Sequence, residues 1–423
     1  MEASAIIQFE VILDEDIHNE SQKAKLDLDY LKQLEKEYGI PYFWPFIAVD
    51  RITMFNQLVR EYPYNTPHYT HEEMLLKLQV TAKRITDFLD KEKPDYIVYS
   101  AIGAIGHMLL YYMAKKRGIK ILNIVTTSLK NRFAVNESYC YIDWANEHFK
   151  QNLAKGRRDK TYQDAKIYLD DFRKNPHPYN AEAVPNKQPV KRSKQFSFLK
   201  PLNFFRSLHW FGFVLREYFT TPYKHDYSYI PPWYYLLDRI KRKLRNLIGV
   251  KDLYDKFDPN EDFAYFPLHY EPEVSLLLLA PYNTDQINVI KQFARSLPVT
   301  YKLYVKEHPL MVIYRPRSYY KELKKIPNVK LINPSITSWD IIPHAKLITT
   351  ITGSTGWEGL LLKKPVISVG EQFYNVISMV KRCRDYEQLP YIIKEQLENF
   401  KYDEEELLQY IACALEDTAE LPF

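Results

Sequence analysis

Two short stretches hold residue types that can do chemistry. The first, Tyr301 to Pro309, reads YKLYVKEHP. It begins as a strand, because Tyr301, Leu303 and Val305 alternate with Lys302, Tyr304 and Lys306 and so face opposite ways. Pro309 ends the strand, since proline has no N–H to give to a ladder. A lysine, a glutamate and a histidine therefore gather at a strand's carboxyl end, the edge of an open parallel sheet where ligands bind. The second stretch, Ile348 to Gly359, reads ITTITGSTGWEG. A β-branched strand runs into Thr352-Gly353-Ser354-Thr355, where a helix is expected to start. The first turn of a helix offers unpartnered N–H groups and the positive end of a dipole, and together these hold phosphate. Gly353 and Gly356 let backbone approach a ligand, and the hydroxyls of Thr352, Ser354 and Thr355 either bond that ligand or cap the helix. A cap alone needs one polar residue, not a run of small ones with two glycines. Glu358 follows Ser354 by one helical turn on the same face, placed to accept from ribose hydroxyls. All carboxyl ends of a parallel sheet share one edge. Lys306 and His308 are thus expected to meet the Thr352–Thr355 elbow and complete a phosphate cradle. Taken alone, His308 also reads as a turn histidine ahead of proline.

The elements that must position these groups alternate between strand and helix. In the first third, strands are expected over 5–13, 45–49, 95–100 and 120–125, and helices over 23–38, 71–91 and 105–117. The helix from His71 shows helical spacing in Met74, Leu75, Leu78, Thr81, Ile85 and Leu89. The last part alternates again, with strands over 274–280, 301–306, 328–332, 346–351 and 366–369. Helices are expected between them and at 386–400 and 403–416. Strand–helix–strand order implies parallel sheets. The reading is an α/β protein with two doubly wound, Rossmann-like domains facing across a cleft, the natural place for a ligand. Its parts are an N-terminal domain (1–175), a basic aromatic helical insertion (176–258), a C-terminal ligand-binding domain (259–385) and closing helices (386–423) that pack back across the cleft.

Length supports this division, because 423 residues exceed one ordinary core. There is no fixed-period repeat and no low-complexity tract. Cys140, Cys383 and Cys413 lie too far apart in sequence for a metal knuckle or a disulfide framework, which suits a reducing compartment. The acidic start MEASAIIQFEVILDEDIHNE lacks the basic opening of a signal peptide. Between Asp95 and Lys115 an uncharged run is long enough to span a membrane. Its glycines and His107 are better explained by a strand, a turn and a helix.

Positive charge is concentrated in the middle. From Asn186 to Lys251 there are fourteen Lys and Arg against three Asp and Glu, a net of +11 in a chain whose total is +5. Phe196, Phe204, Phe205, Trp210 and Phe213 are mixed with these bases, and residues 233–248 can form a basic amphipathic helix. Such a segment either packs on the domains or lies in the headgroup layer of an anionic membrane; nucleic acid fits less well.

"FAYFPLHYEPE" (263–273), "VKEHP", "PNVKLINP", "TITGSTGWEGLLLKKPVISVG" and Tyr374 resemble the capsular and surface polysaccharide biosynthesis proteins, a group that includes the Kdo transferases of capsule assembly. The resemblance covers 263–374 in detail. It implies a GT-B fold and a glycosyltransferase moving a sugar from a nucleotide-sugar, with a CMP-sugar such as CMP-Kdo favoured, to a glycan or lipid-linked glycan acceptor. It also implies that His308-Pro309 and Ser354-Thr355 hold the donor phosphate. The nucleotide-sugar is a substrate, and no cofactor or metal is expected. Trp357 and Gly359 depart from the smaller or aliphatic residue and the alanine that relatives often carry. A base in the N-terminal domain is needed if the anomeric centre inverts; Glu15, Asp16, His107 and Glu137 have the right chemistry, with His107 and Glu15 as the leading candidates. The acidic pair Asp14 and Asp16 reads as a solvated turn or, less simply, as a metal site. His269 and Glu273, which flank Pro272, and Gln286 after them, either line the cleft or organise the interdomain turn. Other readings are a nucleotide-sugar epimerase or polyol-phosphate transferase of similar fold, or a non-catalytic assembly or export component. The expected place is the cytoplasm, with 190–250 available to rest on the inner face of the membrane.

Overall fold

The computed structural model describes residues 12–57, 67–100, 102–129, 131–140, 142–177, 196–197, 200–225, 229–271 and 273–420. Among them, strands form two sheets. The first joins β1 (Tyr96–Tyr99), β2 (Lys120–Thr126), β3 (Arg132–Asn136) and β10 (Thr418–Glu420) in the order β1-β2-β3-β10. The second has β4 (Phe263–Pro267), β5 (Lys302–Lys306), β6 (Val329–Ile332), β7 (Leu347–Thr350), β8 (Val366–Ser368) and β9 (Val380–Arg382), in the order β6-β5-β4-β7-β8-β9. All pairs of the second sheet are parallel. Counted from β4, that order is the doubly wound Rossmann order, with its reversal point between β4 and β7. The α/β class with two sheet-based units is therefore the observed one.

Sequence parity sets which side chains meet. Ala264, Phe266, Leu303 and Val305 enter the core on one face of the second sheet. Phe263, Tyr265, Tyr304 and Ile348 enter the core on the other. The same alternation sends Lys306 to the Tyr304 side. The helix Ser354–Leu361 lies on this second side, so close to β7 that a Cβ on Gly359 would come 2.9 Å from Ile348 Cγ1. Trp357 is buried there between Phe373 and Tyr410. Trp357 and Gly359 thus form one packing arrangement.

The first unit differs from the expected all-parallel sheet. β1 and β2 are parallel, joined through the helix Ile105–Lys116, but β3 runs antiparallel to β2 and β10 antiparallel to β3. The link from β2 to β3 is only residues 127–131, too short for the crossover that a parallel neighbour needs. The expected strand over 45–49 is the helix Trp44–Val49, with proline in its first turn, where its missing N–H costs nothing. The strand expected over 5–13 lies almost wholly outside the described residues. The run 274–280 is the helix Val274–Leu279, and β4 is the true first strand of the second sheet. Asp95–Lys115 is β1, a turn and a helix, and no helix among the described residues is long and apolar enough to cross a membrane.

The chain end returns to the first unit. Helix Glu404–Glu416 packs on helices Asp143–Lys155 and Lys160–Lys174, and β10 follows at the edge of β3. Leu407, Ile411 and Phe149 share a core with Phe263 and Trp357, so the units are joined by continuous apolar packing. In the insertion, helices Pro201–Thr220 and Pro232–Ile248 pack on each other through Trp210–Tyr235 and Tyr218–Trp233 ring contacts.

Candidate functional site

β4, at the reversal point, leads directly to His269. The imidazole is buried, and its Nε2 lies 3.3 Å from the N–H of Ile351 and 3.4 Å from that of Thr352. Burial, with Arg315 and His308 adding positive charge nearby, lowers its pKa to about 3. The ring is neutral and accepts from the elbow that follows β7. Gln286 fixes it from behind, accepting from the His269 N–H at 2.7 Å. His269, expected either to line the cleft or to organise the interdomain turn, is held under the elbow and accepts from its first two N–H groups.

The elbow's remaining hydrogen bonds run mostly within itself. Gly353 is the residue before the Ser354–Leu361 helix, and no side chain caps that helix. The Gly353 N–H donates to Thr350 Oγ1 at 2.9 Å, and the Gly353 carbonyl accepts from Tyr374 Oη at 2.7 Å. The Gly356 N–H turns back to the Gly353 carbonyl at 3.2 Å. Among the described residues, the N–H groups of Ser354 and Thr355 have no partner. Thr352 is buried and its hydroxyl is unpartnered among the described residues. Buried polar groups normally find partners, and this hydroxyl finds none within the described fold.

Lys306 approaches from β5. It is buried, with Nζ 3.3 Å from Ser338 Oγ. Burial lowers its pKa to about 8, against the fields of Glu358, Asp340 and Glu307. Glu358, buried below the elbow, accepts from Ser354 Oγ at 3.2 Å. Burial raises it to about 7, while Ser354 and Lys306 pull it down. The Ser354 hydroxyl, expected to face a ligand, thus serves Glu358 within the helix. Ser354, Trp357 and Glu358 line an opening of about 250 Å³, open solvent included, whose opposite wall is Ser128, Tyr168, Phe172 and His177 of the first unit.

His308 is half-buried just beyond β5. Its Nδ1 accepts from the Leu310 N–H at 3.3 Å, which leaves Nε2 as the ring's proton carrier and donor. It is both the turn histidine and a neighbour of His269, whose charge state it influences. The two loops therefore meet at one rim, around His269.

A group that sequence reasoning missed locks this rim. Arg315 is fully buried and bonds Glu307, Glu271 Oε2 at 2.7 Å and the His269 carbonyl at 2.7 Å. Tyr320 Oη donates to Glu307 Oε2 at 2.8 Å. One guanidinium thus ties the loop after β4 to the loop after β5. The signal was Glu307 itself, since a carboxylate in a buried motif demands a cation.

The candidates of the first unit do not join the cluster. Glu15 is in the helix Asp14–Ser21, not at a strand end, and its carboxylate accepts from the His225 N–H at 2.7 Å. That contact ties the first helix to the turn between the insertion helices. His107 is exposed in the first turn of its helix, with Nδ1 3.4 Å from the Gly103 N–H. A Cβ on Gly103 would lie 3.0 Å from Val274 Cγ2, so this turn borders the second unit. Among the described residues, no contact joins His107 to the elbow.

Residues 223–384 match the family of capsule polysaccharide biosynthesis proteins. The family resembled by the motifs is the family found, over a segment that holds the whole second sheet and the elbow. Protein FixF of Sinorhizobium fredii (strain NBRC 101917 / NGR234) is 31% identical over 140 residues, 32% of this chain and 33% of that protein. The chain thus matches about a third of that relative's length. Among solved structures, KpsC of Thermosulfurimonas dismutans, described as a beta Kdo 2,7 transferase, aligns over 84% of each chain at 13% identity and TM-score 0.40. The beta Kdo 2,4 transferase of the same organism aligns over 75% of this chain and 78% of its own, at 16% identity and TM-score 0.41. The UDP-GlcNAc 2-epimerase of Methanocaldococcus jannaschii covers 95% and 94%, at 14% identity and TM-score 0.27.

Proposed function

We propose that the chain is a glycosyltransferase that moves a sugar from a nucleotide-sugar donor to a surface-polysaccharide or lipid-linked acceptor. The observation that carries this reading is the uncapped elbow at the reversal point of the second sheet, with His269 accepting from its first N–H groups and Lys306 in the field of its Glu358. Breaking a sugar–phosphate bond leaves negative charge on the departing phosphate. The Ser354 and Thr355 N–H groups, the Thr352 hydroxyl and the Lys306 ammonium are donors fixed before the reaction, so no reorganisation is needed as that charge grows. Glu358 and Lys306 form a buried pair whose balance a bound phosphate would shift, since added negative charge favours the protonated lysine. The nucleotide-sugar enters as substrate, and this reading assigns no cofactor. A CMP-sugar is the donor the family resemblance favours. His107, across the seam, is the candidate for taking the acceptor's proton.

A thermal-shift panel of CMP, UDP and GDP species tests the reading. A ligand at a hundred times its dissociation constant adds about 2.7 kcal/mol of stability, an easily read rise in midpoint. A CMP species should raise the midpoint of the native protein, and Lys306→Met should weaken that binding about ten- to a hundredfold, the worth of a charge-assisted hydrogen bond. His308→Ala should lower donor turnover. No shift with any nucleotide, or a Lys306→Met protein that binds normally, refutes the proposal.

A further inference from the structure

We propose that the helix pair Pro201–Thr220 and Pro232–Ile248 is a docking face for an anionic lipid bilayer. The observation is a pair of apolar stripes turned away from the protein. The first helix has no buried residue over its whole length. Leu202, Phe205, Leu208 and Phe219 are each more than half exposed on one side of it. The second helix exposes Trp233, Leu237, Ile240, Leu244, Leu247 and Ile248, between 44% and 65%. At 100° per residue those six fall on one face. Arg239 and Lys243 flank that face on one side and Lys241 on the other, the arrangement in which long basic side chains reach the headgroups while their stems cover apolar surface.

The opposite side of the second helix faces the protein. Asp238 is buried there and pairs with Arg242 at 2.5 Å, and Arg245 bonds the Tyr314 carbonyl of the second unit. Arg239 stacks over Trp210 at 4.1 Å, which closes the seam between the helices. The apolar face is therefore held outward by specific contacts.

Charge selects the occupant. Residues 232–248 carry five Lys and Arg against one Asp, and residues 201–220 two Arg against one Glu. In a symmetric pairing with a second copy, the same basic flanks would meet each other across the axis and repel. A nucleic acid would use the bases but leave the aliphatic stripe wet. An anionic bilayer satisfies both, with apolar side chains in the acyl boundary and bases among the headgroups.

The test is flotation of the full chain with vesicles of phosphatidylcholine alone and of phosphatidylcholine with phosphatidylglycerol. The protein should float with the anionic vesicles only, and less at high salt. Ile240→Glu with Leu244→Glu should cut partitioning by about tenfold or more at an unchanged melting midpoint, because both side chains are already half in water. Lys241→Gln with Lys243→Gln should cut it by about fivefold for each lysine, without touching the apolar face. Equal binding to neutral vesicles, no binding to either kind, or a sedimenting dimer that Ile240→Glu with Leu244→Glu disperses would each overturn the proposal. The last result would assign the face to a second copy.

Discussion

Arg315→Met is the most exacting perturbation of the rim. The native guanidinium is fully buried between Glu307 and Glu271, and burial, which works against its charge, is outweighed by those two carboxylates. Replacing a buried ion group wholly by apolar residues can be neutral. Removing one partner alone leaves buried charge behind and costs about 3–5 kcal/mol. Here two carboxylates lose their cation, and the His269 carbonyl loses a donor. For a unit of this size, such a loss lowers the unfolding midpoint by about 10 °C or more. The defect should also depend on pH. A buried carboxylate without its cation can be neutralised by a proton, so the difference from the native protein should be smaller at pH 5 than at pH 8. Paired thermal melts at the two pH values, with nucleotide binding followed in parallel, provide the assay. A midpoint within about 2 °C of the native one at pH 8, or a defect that grows in acid, would refute the argument that this network holds the two loops together.

Two further outcomes follow from the same geometry. Glu358 is raised from 4.5 to about 7 in the folded state, so between those values the folded protein binds more protons than the unfolded chain, and its stability falls as pH rises. Glu358→Gln removes that fall, and urea melts across this window should show the variant gaining on the native protein by up to about 3 kcal/mol. A Cβ on Gly356 would collide with Tyr374 Oη, the donor to the Gly353 carbonyl. Gly356→Ala should therefore cost about 1–3 kcal/mol in a denaturant melt, and a neutral result would mean the elbow yields easily.

Some of this site could be read from the sequence because local rules were enough. The alternation in Tyr301–Lys306 placed Leu303 and Val305 in one core and Lys306 on the opposite face. The helical spacing from His71 marks Met74, Leu75, Leu78, Thr81, Ile85 and Leu89, all buried except the half-buried Leu75. The elbow followed from glycine and hydroxyl chemistry at a strand-to-helix turn. What escaped depended on phase or on distance. Phe263–Pro267 and Val274–Leu279 are both short apolar runs without polar marks, which periodicity cannot assign to strand or helix; the first is the strand and the second a helix. Arg315 meets Glu271 across forty-four positions, and nothing in its neighbourhood announces a buried partner. The placement of Glu15 was not legible, because a helix stands where a strand end is expected. The pairing of β10 with β3 joins residues nearly three hundred positions apart, far beyond the reach of any local signal.

That last pairing bears on the order in which the chain matures. β3 leaves the ribosome long before Thr418–Glu420, and until then its outer backbone groups have no strand beside them. Helices Asp143–Lys155 and Lys160–Lys174 likewise wait for Leu407 and Ile411 to cover Phe149. The doubly wound second sheet, whose strands all lie between Phe263 and Arg382, can close on itself earlier. The unit made first is thus finished last, and its half-assembled state is the stage most open to capture by chaperones or to sticking at an unguarded edge.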